Sequence, residues 1–377
     1  MRLPEWANRL WAMVIKELLQ LRRDRLTFAM MLGIPLIQLT LFGYAINGDP
    51  KQLPTLLVAH EQTPFSRSLS TALENSQYFR LLPGQHGDAE ADRLLASGEV
   101  QFAVIIPAGF SRSLQRGESP VLQVDADATD PTATANAIAT LQQLTQQALQ
   151  ADLKGPLAQP KRHDPFELRI HRRYNPEGLT QYNIVPGLMG VILTMTMIMM
   201  TALAVTRELE RGTLENLLAT PIRPLEVMTG KILPYVAIGL VQVLVILLAG
   251  KLLFQVPFVG STLLLLLGVS IFIAANLVVG ITISSVARNQ TQAMQMTFFF
   301  FLPSMLLSGF MFPFRGMPQW AQAIGELLPL THFLRLIRGV MLKGNDLAQS
   351  WPHLWPLLLF ILIMLLIGLK RFRRTLD

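Results

Sequence analysis

The chain has 377 residues, 51% of them apolar and only 15% charged, with a formal net charge of +7 and no cysteine. A soluble domain carries roughly 25% charged residues, so this composition points to the membrane and excludes disorder and a coiled coil. The excess of base does not signal nucleic acid either, because Lys and Arg are scattered among short flanks rather than gathered in one footprint; without cysteine there is no disulfide scaffold, thiolate metal site or thiol nucleophile.

In chain order, residues 4–25 predict an amphipathic helix. Trp6, Leu10, Val14, Leu18 and Leu21 recur at helical spacing, with Arg2, Arg9, Lys16 and Arg23 on another face. Such a helix lies in the membrane interface. The simpler reading is a positive flank that only sets topology; the functional one is an elbow, residues 1–25, that touches a cytoplasmic partner. Residues 26–46 form the first apolar span, with Gln38 its most polar member. Gly43 and Ala45 loosely imitate a cleavage site, but the stretch exceeds a signal-peptide core of about 7–15 residues, so a retained anchor is expected.

Residues 47–180 are mostly polar and alternate short β-rich runs with helical ones. Strands are predicted at 55–59, 78–82, 102–106, 121–124 and 167–174, and helices near 65–75, 88–96 and 132–153. The alternation predicts a small α/β domain outside the membrane. Asp125, Asp127 and Asp130 lack the twelve-residue EF-hand pattern and read as a solvated turn after a strand.

Five further spans are expected within residues 181–377: 182–205, 232–253, 263–286, 297–312 and 354–369. About 20 apolar residues cross the hydrocarbon. The fifth is the least sharply bounded, because 291–296 is half polar and Pro303 should kink it. Counting six spans puts every cluster of Lys and Arg on one side, and cytoplasmic loops retain positive charge. Both termini are therefore expected in the cytoplasm and residues 47–180 outside. The fold class is thus mainly α, a polytopic membrane protein of six transmembrane helices plus an extracytoplasmic α/β domain between the first two spans.

The cytoplasmic loop 207–230 has the most informative pattern. Gly212 permits a break, Thr213 can cap a short helix, Glu215 suits its N-terminal dipole and Pro221 ends it. Leu214, Leu217 and Leu218 would share one face. That describes either a peg for a socket on another protein or a helix lying on the membrane or its own bundle. At the other side, residues 313–351 are too apolar for a free loop yet broken by Pro and Gly. Short helices at 321–328 and 332–342 are expected at or dipping into the outer leaflet, with Arg335, Arg338 and Lys343 kept near water.

No G-x-x-x-x-G-K-[ST] phosphate loop occurs, and the six histidines show no close ligand spacing, so no metal site is expected. No Asp, Glu, Lys or Arg lies near the middle of a span, which disfavours an ion-coupled carrier. The polar groups left inside, Gln38, Gln242 and Asn276 among them, more often bond neighbouring helices than touch cargo. Phe298 to Phe301, with Phe299 in the middle, can adapt to varied apolar shapes.

Taken together, the motifs resemble the permease subunits of ABC-2 type transporters, in particular the drug-export branch. The resemblance rests on Lys16, Glu17, Arg23 and Asp24 before the first span, Phe42-Gly43-Tyr44 at its end, and Tyr174-Asn175-Pro176 before the second. It continues in the loop through Arg207, Glu208, Glu210, Gly212, Thr213, Leu214, Glu215, Thr220 and Pro221. Near the outer end it takes in Leu307-Ser308-Gly309, Met317-Pro318 and Pro329-Leu330-Thr331. Each motif is weak alone; their order and spacing are specific. One departure is His60, where relatives with a similar outer domain often carry an acidic residue.

The resemblance implies a dimer, with a second copy or a paralogue, working with a cytoplasmic ABC ATPase subunit that binds ATP and Mg; this chain would be neither an enzyme nor a cofactor-binding protein. It implies a coupling site at Glu208, Glu210, Gly212, Thr213, Leu214, Glu215 and Pro221, assisted by the elbow residues Lys16, Glu17, Arg23 and Asp24. It also implies an outer gate near Ser308, Gly309, Pro318, Pro329 and Thr331. Gln38, Gln242, Asn276 and Phe299 are translocation-path candidates. Efflux of amphipathic or hydrophobic compounds through a bacterial inner membrane is the expected function, with a periplasmic adaptor as a candidate partner. The alternatives are an ATPase-driven regulatory device without cargo, or an ion-coupled transporter.

Overall fold

A computed structural model of the chain describes residues 50–84, 86–149, 152–153, 165–210 and 224–372. The elbow residues Lys16, Glu17, Arg23 and Asp24, the first span with Gln38, and the loop residues Gly212, Thr213, Leu214, Glu215 and Pro221 lie outside the described residues.

The first described unit is an α/β sheet domain. In chain order it runs β1 (Leu53–Ala59), α1 (Pro64–Asn75), β2 (Phe79–Leu81), α2 (Asp88–Ser97), β3 (Phe102–Ile106), α3 (Phe110–Gln115), β4 (Val121–Asp127), α4 (Pro131–Gln147) and β5 (Glu167–Arg173). The sheet order is β2-β1-β3-β4-β5, parallel at every junction except the antiparallel β3–β4 pair. Parallel crossovers put helices on both faces, so both must be apolar. Phe102, Val104 and Ile106 of β3 face a core shared with α1, α3 and α4. Ala103, with Leu56 and Val58 of β1, packs under Leu94 and Leu95 of α2 on the other face.

Local chemistry sets the helix starts. Thr63 and Ser66 form a reciprocal capping box at α1. Asp130, followed by Pro131, caps α4 by accepting from the amides of Thr132 and Ala133. The short α3 is absent from the sequence expectations because its cap is not local: Glu61, some fifty residues earlier, accepts from the amides of Gly109 (3.0 Å) and Ser111 (2.8 Å).

The second unit is a helical bundle: α5 (Thr180–Glu210), α6 (Pro224–Phe254), α7 (Thr262–Ser284), α8 (Gln290–Leu307), α9 (Gln319–Glu326), α10 (Pro329–Arg338) and α11 (Leu347–Phe372). A single π turn, Gly339–Lys343, extends α10. Four of these helices, α5, α6, α7 and α11, are long and apolar enough to cross a membrane. The helix at the expected fifth span, α8, is not among these four and lies closer to the N-terminus than 297–312: Asn289 caps it by accepting from the Gln292 amide at 2.8 Å, and Gly309, at φ +83°, ends it. Its first turn is therefore polar.

α7 forms the axis. Two-thirds of its apolar window is buried, against 17% for α6 and 11% for α11. It approaches α5 closely at Gly280, where a Cβ would lie 2.8 Å from the Ile198 carbonyl oxygen. Phe272 of α7 stacks on Phe333 of α10, ring centroids 4.0 Å apart, so the short α10 is seated in the bundle core.

Candidate functional site

Two junctions bring together residues of different elements. The larger lies where the sheet domain meets the loop structure between α8 and α11. Here the expectation that Asp125, Asp127 and Asp130 form a solvated turn is corrected. Asp125 is 1% exposed and Asp127 8% exposed on β4, and Asp130 caps α4. The expectation that Lys343 stays near water is corrected with them. Its side chain is 7% exposed, and Nζ donates to Asp127 Oδ2 at 2.6 Å and to the Leu95 carbonyl at 3.1 Å. The physical reason is pairing: Asp127 and Lys343 cover each other across 216 residues, Asp125 is paired within the sheet by Arg173, and buried charges persist only when paired.

The surroundings complete the pairing. Lys343 Nζ sits 5.2 Å from the Tyr174 ring centroid. Burial first, then the negative charge of Asp127, push the Tyr174 phenol up to about 12. Arg315 donates to the carbonyls of Gly98 (3.0 Å) and Glu99 (3.3 Å). Cations thus meet the carbonyl end of α2, where the helix dipole is negative. Asn183, in the first turn of α5, donates to Asp130 Oδ1 at 2.9 Å. Behind them, Arg173 holds Asp125 and pairs with Asp92 at 2.6 Å.

The Tyr174-Asn175-Pro176 motif acquires a structural cause. Tyr174 adopts φ +68°, and Asn175, fully buried, closes the turn into α5 by donating to the Leu179 carbonyl (3.0 Å) and accepting from its amide (2.9 Å). This places Tyr174 under Lys343.

The outer-gate candidates lie on the same connection. Ser308 is buried and donates to the Met305 carbonyl at 3.0 Å. Gly309 turns the chain, and its carbonyl accepts from both terminal nitrogens of Arg338 at 3.3 Å. Pro318 begins α9; Pro329 opens α10, and Thr331 within it is fully buried. Arg335 pairs with Glu326 at 2.6 Å. His332 and His353, expected to be isolated, come within 6.1 Å of each other, ring centre to ring centre. His60 lies apart, its Nε2 3.3 Å from Asp88.

The translocation-path candidates occupy three helices. Gln242 of α6 accepts from Thr196 of α5 at 3.0 Å. Asn276 of α7 is fully buried and donates to the Phe272 carbonyl at 2.8 Å. Phe299 of α8 is 39% exposed. The first two therefore make helix-to-helix and helix-to-backbone bonds.

The second junction lies at the far end of the bundle. Of the coupling residues, Glu208 and Glu210 are described, both in the last turn of α5. Glu210 Oε1 accepts from the Gln290 amide at 2.8 Å and Oε2 from its Nε2 at 2.6 Å, while Arg207 Nε donates to Gln290 Oε1 at 3.4 Å. Sequence reasoning missed Gln290, Asp127 and Lys343, since no local periodicity records a partner so far along the chain.

Four helices long and apolar enough to cross a membrane, with an α/β domain docked on one end of their bundle, define a multi-pass membrane protein. The family model described as ABC-2 family transporter protein matches residues 25–370, and the chain belongs to that family. It is similar to two Escherichia coli proteins called probable multidrug ABC transporter permeases. YbhS is 30% identical over 90% of this chain and 89% of its own, and YbhR is 30% identical over 93% and 94%. The Escherichia coli inner membrane transport permease YhhJ is also 30% identical, over 96% of both chains. The relatives support a multi-pass inner-membrane subunit of an ABC exporter.

Proposed function

We propose that this chain moves amphipathic or hydrophobic compounds, drugs among them, out of the cytoplasm or the inner leaflet, powered by a separate ABC ATPase subunit that binds ATP and Mg. The observation that carries this reading is similarity to multidrug permeases along nine-tenths of the chain. In this reading the segment 26–46 and α8 complete six spans, both termini and the 207–230 loop face the cytoplasm, and the sheet domain faces outward. Two permease copies, or one copy and a paralogue, flank the pathway, and an adaptor engages the sheet domain.

The mechanism follows from differential binding. An ATPase can drive a conformational change only by favouring one state of the permease. The loop residues Gly212, Thr213, Leu214, Glu215 and Pro221, with Glu208, would form the docking peg, and the elbow residues Lys16, Glu17, Arg23 and Asp24 would assist. Ser308, Gly309, Pro318, Pro329 and Thr331 would close the outer gate. Gln38, Gln242, Asn276 and Phe299 would flank the path.

Pulldown of solubilised protein from its native membrane tests the reading, comparing wild type with Glu208→Lys, Glu215→Lys. Recovery of an ATPase subunit with wild type alone is expected; recovery with neither form under mild crosslinking would sink it. The cargo-free regulatory reading is favoured by one observation, the buried ion pair tying the sheet domain to the gate connection. Cargo-stimulated ATPase activity in liposomes holding only this complex would decide for export.

A further inference from the structure

We propose that Arg207 and Glu210 position Gln290 as a clamp through which α8 carries the ATPase stroke across the bundle to the gate connection, an inference that rests on the exporter reading above. Glu210 would then serve transmission rather than docking.

The geometry at the far end singles out one residue. Gln290 is held by three hydrogen bonds from a single turn of α5. Glu210 takes its backbone amide (2.8 Å) and its side-chain nitrogen (2.6 Å), and Arg207 addresses its side-chain oxygen (3.4 Å). Residues 207 and 210 are three apart, so they share one face of α5. Both carboxylate oxygens of Glu210 are engaged within the chain.

Gln290 is the first residue of α8, so the clamp holds a helix end rather than a loop. The negative carboxylate faces the positive end of the α8 dipole. The first turn is further fixed by Asn289, which accepts from the Gln292 amide at 2.8 Å, and by Gln292, whose side chain accepts from the Arg288 amide at 2.6 Å. α8 therefore starts tied to the last residue of α5, Glu210.

The other end of α8 is tied as well. Directly after it, the Gly309 carbonyl accepts from Arg338, the last residue of α10, and Lys343, the last residue of the π turn that follows, bonds Asp127. Near its start α8 packs on α5, where Ala293 lies fully buried in one cluster with Ala202 and Ile198. A displacement of the α5 foot is thus delivered to Gly309 by a helix pinned at both ends, without passing through lipid-facing α6 or α11. A helix tied at both ends in this way, with Pro303 inside it, supplies a contiguous route for coupling.

The test uses the assembled complex in nanodiscs. Because the chain has no cysteine, Leu327→Cys supplies one thiol at an exposed position between α9 and α10 for an environment-sensitive fluorophore. The emission change on adding ATP and vanadate is compared in wild type, in Gln290→Glu, which faces Glu210 with like charge, in the milder Gln290→Ala, and in the paired Glu210→Lys, Gln290→Glu variant, which puts opposite charges at the two positions but leaves the residue-290 amide without its acceptor. Size exclusion and melting temperature confirm that each variant is folded.

The clamp predicts that Gln290→Glu retains the ATPase subunit and its hydrolysis while the emission change falls about tenfold, with a smaller loss in Gln290→Ala and partial recovery in the paired variant. An undiminished emission change in Gln290→Glu overturns the proposal. So does loss of the ATPase subunit from Gln290→Glu, which would make this corner part of the docking surface. Failure of the paired variant to recover any of the signal overturns it too. If wild type itself retains no ATPase, the exporter reading falls and takes the clamp with it, an outcome distinct from the other three.

Discussion

The two ends of the bundle use similar chemistry in different surroundings. At the domain end, Lys343 and Asp127 pair at 2.6 Å with each side chain under a tenth exposed. At the far end, Glu210 and Gln290 bond at a similar distance but on an exposed surface. A buried charge that loses its partner cannot turn to water, whereas an exposed one can. The difference teaches which junction is the firmer: the sheet domain is fastened to the connection between α8 and α11 by a buried pair, and the far end is held by bonds open to solvent.

The comparison breaks most clearly at the buried pair. Lys343→Ala, which strands Asp127, is expected to cost about 3–5 kcal/mol, read as a large fall in melting temperature of the detergent-solubilised protein. The double variant Lys343→Met, Asp127→Leu should recover a good part of that loss; equal losses in both would mean that packing, not charge, fastens the domain.

Gly280→Val probes the axis between the two ends. Its Cβ would meet the Ile198 carbonyl oxygen at 2.8 Å, so an overpacking cost of about 1–3 kcal/mol is expected. A neutral result in thermal melts would show that α5 and α7 separate freely. Asn175→Ala removes both bonds to Leu179, and a loss of about 1–2 kcal/mol should follow; Asn175→Asp keeps the acceptor and should lose less.

The smallest effect belongs to the half-exposed Glu326–Arg335 pair. Burial works to raise the Glu326 carboxyl, but the hydrogen bond and charge of Arg335 outweigh it and hold it below the ordinary carboxylate range. A lowered value in the folded state contributes stability above the unfolded value of about 4.3 and loses it as pH falls through the folded one. With side chains 32% and 43% exposed, the pair is worth about 0.2–1 kcal/mol. Wild type should therefore melt above Glu326→Gln at pH 7, and the gap should close in strongly acidic buffer. A gap that persists there would assign it to packing.

Legibility in the sequence followed the range of the causes. β3 lies at the bounds that its β-rich run predicts, and α4 starts within one residue of the expected 132 but ends at Gln147, short of 153, because a β-rich run and a helical pattern act within a few residues. The ends of α8 were misjudged because Asn289 and Gly309, rather than the phenylalanine run, set its limits. The two junctions could not be found locally at all. Asp127 looks like a solvated acid until Lys343 covers it, and Gln290 looks like a polar start to a span until Glu210 meets it. The Tyr174-Asn175-Pro176 motif marked the domain junction by resemblance, and the left-handed Tyr174 explains why that turn is special.

The spacing of the buried pair also sets an order of assembly. Asp127 is made 216 residues before Lys343, and synthesis proceeds at about 5–20 residues per second. Roughly 10–40 s therefore separate the acid from its cation during biogenesis. Throughout that interval Asp127 must stay hydrated on a sheet whose own strands are complete once β5 is made. The newborn sheet domain thus waits with an open seat, and the connection that precedes α11 closes it.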